Sequence, residues 1–140
     1  MGIDSIELDL RVPNRTRYLR LVGRIAEAFA WELEGRRQGK DLFARQLNMV
    51  LTEAMSNAIL HAHGDDPEQT VQIHISISDG ELRIRVYDRG RGFDLESVLE
   101  PDETGEDEHG RGIFIMRSLM DGVVYRKCDG YNVLEMWKRL

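Results

Sequence analysis

The chain has 140 residues, 41% of them hydrophobic and 31% charged, the balance of one ordinary globular domain with a core of its own. A formal net charge of -6 argues against a general nucleic-acid binder, and no apolar run approaches the ~20 residues of a membrane-spanning helix. A single cysteine, Cys128, excludes an internal disulfide and points to a reducing, cytoplasmic setting with neither nucleic acid nor membrane as a direct partner.

The opening residues carry neither a basic leader nor an apolar signal segment, and the sixth position lacks the Ser or Thr of a myristoylation pattern. Ile6, Leu8, Leu10 and Val12 then alternate with Glu7, Asp9 and Arg11, which predicts a half-buried strand ended by Pro13. From Asn14, the expected N-cap, apolar residues at Tyr18, Val22, Ile25, Phe29 and Leu33 switch the period to that of an amphipathic helix. Gly35 to Gly39 break it. Asp41 is placed to cap a second helix with a core stripe of Phe43, Leu47, Val50, Leu51, Ala54 and Ala58.

After a loop at 63–67, Val71, Ile73, Ile75 and Ile77 alternate with polar residues up to Asp79-Gly80, which predicts a hairpin with Leu82, Ile84 and Val86 on its second arm. That arm delivers Asp88 to a strand end. Residues 94–108 are acidic, poor in core residues and broken by Pro101 and Gly105, and are expected to form a lid. Gly112 leads into Ile113, Ile115, Met116, Leu119 and Met120, a helix expected to end near Asp121-Gly122. Two closing strands, 123–127 and 133–138, flank a turn at Asp129-Gly130. With no repeat and no dividing linker, the expectation is a single α+β domain over residues 1–140, with helices on one face of a mixed sheet.

Three stretches carry chemistry. Glu53, Asn57 and His61, four residues apart, form a polar row on the second helix, displaced by ~6 Å per step. Asn57 offers a neutral amide oxygen suited to Mg2+, and Glu53 stands where it could take a proton from an attacking hydroxyl. The ordinary alternative is a solvated helix face, with His61 simply favourable near a helix C-terminus. In Asp88-Arg-Gly-Arg-Gly-Phe-Asp94, a carboxylate at a strand end accepts from an exocyclic amino group such as that of adenine, and Gly90 and Gly92 let backbone approach the base; a charged surface turn is the alternative. Gly110-Arg111-Gly112 opens a helix, where unpaired N–H groups suit phosphates, or is simply a helix cap. Neither a P-loop nor a Rossmann pattern is present.

Together, LTEAMSNAILH from Leu51, DRGRGFD from Asp88 and HGRGIFIMRSLMD from His109 resemble the N box and the two glycine boxes of the GHKL ATPase superfamily. The likeness covers nearly the whole chain and is strongest to the anti-sigma-factor serine/threonine kinases of bacterial partner-switching systems. It implies the Bergerat fold, a two-layer α/β sandwich whose mixed sheet is mostly antiparallel. It further implies ATP and Mg2+ as cofactors, Asn57 as metal ligand, Glu53 as catalytic base and Asp88 as the adenine aspartate. Gly90 and Gly92 would shape the adenine side, and Gly110 and Gly112 would present N–H groups to phosphates. Asn132 stands where the family often has a Gly-Thr pair near that aspartate. Between Arg91 and Arg111 the sequence has no Lys or Arg, a departure from relatives with a basic lid residue, so Arg111 or a basic partner would supply that charge.

The function implied is phosphorylation of an anti-anti-sigma (STAS-type) protein together with sequestration of a sigma factor or other regulator. The leading strand and first helix are a usual surface for homodimers in such relatives, and the sequence leaves the choice between monomer and homodimer open. The alternative is a non-catalytic ATP-binding module that controls a partner through nucleotide-dependent lid order. The catalytic domain of a sensor histidine kinase fits less well, because no helix pair bearing a phospho-accepting histidine precedes the boxes.

Overall fold

The alternation from Val71 to Ile77 sends four branched side chains to one side of a strand, and all four are fully buried in the computed structural model. The structure describes residues 5–33, 39–62, 66, 68–92 and 108–140. In chain order these form β1 (Ile6–Pro13), a 3-10 turn (Thr16–Tyr18), α1 (Leu19–Trp31) and α2 (Lys40–Asn57), which runs on into a π-type turn (Ala58–Ala62). They continue with β2 (Thr70–Ser78), β3 (Glu81–Asp88), α3 (Glu108–Leu119), β4 (Gly122–Cys128) and β5 (Tyr131–Arg139). The strands make one sheet in the order β1-β2-β3-β5-β4, and each of these pairings is antiparallel. The expected lid and the loop and helix-breaking stretches at 63–65 and 34–38 lie outside the described residues.

The first hairpin turns as its sequence requires. Asp79 (φ 53°) and Gly80 (φ 75°) both adopt left-handed backbone, the two-residue turn whose twist matches that of paired strands. Its arms bury Val71, Ile73, Ile75 and Ile77 against Leu82, Ile84 and Val86, and Met136 of β5 extends the same layer. Each such side chain contributes roughly 1.5–3 kcal/mol by leaving water. The helices cover this layer with the expected stripe: Phe43, Leu47, Val50, Leu51, Ala54 and Ala58 are all buried.

Three local expectations give way to tertiary contacts. Asn14 is not a helix cap: its amide donates to the Asp66 carbonyl (2.9 Å) and its backbone N–H to Gln69 (3.1 Å), tying the end of β1 to the approach to β2. The first helical turn is instead a 3-10 turn entered from Arg15. Asp41 sits inside the first turn of α2, whose N-cap is Gly39 in left-handed conformation (φ 77°), so the acid serves the helix dipole. Ile25 is only half-buried, because the α1 seam is made by Val22, Gly23, Ala26, Phe29 and Ala30. Small residues there let α1 approach α2 closely. A Cβ on Gly23 would overlap the Asn48 amide, which is itself held by Glu27 (2.8 Å) and Thr52 (3.0 Å).

The other side of the sheet carries charge. Glu135 of β5 is buried there beneath Arg85 (2.6 Å), Arg126 (2.6 Å) and Arg83 (3.3 Å). Burial pushes its carboxyl up, but the hydrogen bond from Arg85 and the charges of Arg85, Arg83 and Arg126 together hold it below the ordinary glutamate value. A carboxyl with a lowered folded-state value stabilises the fold above its unfolded value and loses that contribution as pH falls through the folded one. Glu135→Gln should therefore be less stable than wild type near neutral pH, with the gap closing on acidification below about 4.3. Denaturant titrations across pH 7 to 3 check this, and a gap constant over that range would contradict it.

Candidate functional site

Helix α2 places Glu53 and Asn57 one turn apart on the same face. Glu53 is half-buried, whereas Asn57 is fully buried (0% exposed) at the last regular turn, just before the helix widens into the π-type turn that touches β3. Neither the Nδ2 nor the Oδ1 atom of Asn57 has a hydrogen-bond partner among the described residues. Leaving a buried polar group unpaired costs about 1–3 kcal/mol, so an amide with both ends unpaired among the described residues works against the stability of the fold. The backbone of His61 lies in the π-type turn; its side chain lies outside the described set.

Strand β3 delivers Asp88, 2% exposed, at its C-terminal end. Its Oδ1 accepts from the Gly90 N–H (3.1 Å) and from the Asn132 amide (2.8 Å), and its Oδ2 accepts from the Tyr125 hydroxyl (3.0 Å). Asn132 also donates to the Gly90 carbonyl (3.0 Å). Strand register explains the meeting: Asn132 pairs with Asp88 on one side and with Lys127 on the other. Gly92 is buried with φ 78°, a backbone conformation that other side chains adopt only at a cost.

The second glycine stretch is helical. With α3 beginning at Glu108, Gly110 and Arg111 fall among the first four residues, whose N–H groups have no intrahelical acceptor, and Gly112 is one step beyond them. Helix α3 packs against α2, so this positive helix end belongs to the same layer as Asn57.

Among the described residues, no cluster of three or more His, Cys, Asp or Glu could hold a metal. A hard cation bound mainly by phosphates and water needs only one or two protein oxygens, and the unpaired Asn57 Oδ1 fits that requirement for Mg2+. A cavity of about 540 Å³ lies on the opposite, open side of the sheet, lined by residues such as Arg11, His74, Arg85, Tyr87 and Tyr131. These alternate with the inward residues of the same strands, so that cavity is separate from the Asp88 and Asn57 site.

The histidine kinase-like ATPase domain family matches residues 12–138, a span that contains every site residue above. The chain belongs to this family. It is 36% identical over 83 residues to the anti-sigma F factor of Geobacillus stearothermophilus, covering 56% of this chain and 57% of that one. It is 34% identical over 96 residues to the serine-protein kinase RsbW of Oceanobacillus iheyensis, covering 63% and 61% respectively. The chain thus spans about three-fifths of the length of these curated relatives.

The fold is also that of solved structures. One, with RsbU and RsbW domains from Mycobacterium tuberculosis, superposes at a TM-score of 0.65 with 14% identity, covering 96% of this chain and 32% of that one. Another, the histidine kinase domain of a blue-light-activated kinase from Erythrobacter litoralis, gives 0.57 with 20% identity, covering 91% and 61%.

Of the residues named from sequence, Asp88, Gly90 and Asn132 meet in one hydrogen-bonded cluster, which also takes in Tyr125, a residue the sequence reading did not name. Its signal was a phenol at the inward position between Val123 and Lys127. For Asn57, Asn57→Leu, which keeps the branching and removes both unpaired polar atoms, should raise nucleotide-free stability by about 1–2 kcal/mol. Chemical denaturation checks this; a loss of stability would mean that the amide is satisfied in the native fold.

Proposed function

We propose that the chain is an ATP-dependent protein serine/threonine kinase of the anti-sigma type, acting in the cytoplasm on an anti-anti-sigma (STAS-type) protein and sequestering a sigma factor or related regulator. The observation that carries this reading is the buried Asn57 amide, unpaired among the described residues and one helical turn from Glu53, with Asp88 presented at the end of the strand touched by the same helix's final turn. The names of the relatives, anti-sigma F factor and serine-protein kinase RsbW, support it.

In this reading Asp88 takes the exocyclic amino group of adenine, and Gly90, Gly92 and Asn132 shape that end of the pocket. The first turn of α3, with Gly110 and Arg111, faces the phosphates, and Gly112 keeps the next position small. Mg2+, held by Asn57 together with phosphate and water, supplies charge neutralisation. Glu53 takes the proton from the partner's Ser or Thr hydroxyl as that oxygen bonds to the γ-phosphorus; the bond to the β-phosphate bridging oxygen breaks and ADP leaves. Such transfer is mainly positioning and charge stabilisation, which suits a site with one base, one metal ligand and backbone donors.

One feature favours a second reading, a non-catalytic module that holds ATP as a switch. The stretch between Arg91 and Arg111 contains no Lys or Arg to meet the γ-phosphate. Labelled ATP incubated with wild type or Glu53→Gln and a STAS-type partner separates the two. The kinase reading expects transfer to fall by roughly 100-fold or more in the variant with ATP affinity kept. Absence of transfer in wild type, with partner affinity still dependent on ATP, would establish the switch instead.

A further inference from the structure

We propose that Tyr125 of β4 is a positioning residue for base selectivity, orienting the Asp88 carboxylate so that a single acceptor site faces the nucleobase. This rests on the nucleotide reading above and assigns a role to a residue outside the three sequence boxes.

The argument is a count of lone pairs. A carboxylate offers about four acceptor directions, two on each oxygen. Among the described residues, Oδ1 of Asp88 accepts twice, from the Gly90 N–H at 3.1 Å and from the Asn132 amide at 2.8 Å. Oδ2 accepts once, from the Tyr125 hydroxyl at 3.0 Å. One direction on Oδ2 is left. A single fixed acceptor is matched by one N–H of an exocyclic amino group, and it opposes a base that presents a carbonyl oxygen at the same place.

Gly90 and Asn132 both act on Oδ1, so by themselves they leave the carboxylate free to tilt about that oxygen. Tyr125 is the contact that fixes the other end. Its ring packs against the apolar core and its register on β4 is set by pairing with Leu134, so the hydroxyl arrives on a rigid support.

Gly92 gains a second reason to be glycine. A Cβ there would come within 3.1 Å of the Tyr125 hydroxyl, 3.2 Å of Lys127 Cε and 3.3 Å of the Asn132 amide nitrogen. Any side chain would therefore press on the donors that hold Asp88, besides straining the backbone. The first glycine turn and the β4–β5 hairpin close on each other around this carboxylate.

The test is calorimetric titration of the full chain, with Mg2+, using ATP and the triphosphate of purine riboside, which lacks the 6-amino group. Wild type should prefer ATP. Tyr125→Phe keeps the ring and should weaken ATP binding about tenfold, while leaving the purine analogue within about twofold, so that the preference collapses. Tyr125→Met serves as a second hydroxyl-free variant should the first fail to fold. Asp88→Asn is the control for the site itself. A wild-type preference retained in both Tyr125 variants but lost in Asp88→Asn would overturn the role of Tyr125 alone. A preference unchanged in Asp88→Asn would overturn the placement of the base at Asp88 and, with it, this inference.

Discussion

The site depends on a buried carboxylate held from three directions. Asp88 ends β3, Gly90 follows it in the turn, and Asn132 and Tyr125 come from β5 and β4, more than thirty residues further along the chain. Bonds of this kind to a carboxylate are stronger than neutral ones, and those from Asn132 and Tyr125 are lost if the strands slip. A one-residue slip of β5 against β3 would turn Asn132 to the other side of the sheet. Thus the hydrophobic layer of Ile73, Ile75, Ile84 and Met136, which fixes the register, also fixes the chemistry.

The opposite wall of the proposed site leaves one amide unpaired among the described residues. Helix α2 buries Leu47, Leu51, Ala54 and Ala58 and could have continued as an apolar rod, yet it ends with Asn57 buried and unbonded among the described residues. Such a group opposes stability, and its presence beside Glu53 is the kind of local cost that functional sites retain. The π-type turn that follows is likewise a departure from regular helix, of a type frequent at functional sites. The two faces of the sheet also divide their polar groups by role. Glu135 with its three arginines is a paired cluster on the open side, while the polar groups of the inner side stand around the proposed ligand.

Much of this was legible in sequence, because periodicity is a local property. The period-2 runs gave β1, β2 and β3 and the Asp79-Gly80 hairpin, and the helical stripe gave the buried face of α2. Asn57 and Asp88 stood out as polar residues in motifs of recognisable order. Asn14, Ile25 and Tyr125 were hidden for one reason: each is decided by a partner distant in the chain. Asn14 is drawn off its cap position by Asp66 and Gln69, Ile25 yields the seam to smaller neighbours that admit α2, and Tyr125 meets Asp88 only because β5 lies between their strands. Asn132 came into view through family resemblance, since nothing in its own neighbourhood indicates which residue it faces.

The account's central claim is that one pocket, walled by Asp88 on one side and Asn57 on the other, holds a nucleotide. A crystal structure of the full chain with Mg2+ and a non-hydrolysable ATP analogue tests it most directly. The account predicts the adenine amino group within hydrogen-bond distance of Asp88 Oδ2, the Tyr125 hydroxyl still on that carboxylate, and the Asn57 oxygen on the metal. An analogue seated instead in the cavity on the open side of the sheet, or bound with Asp88 and Asn57 untouched, would contradict it.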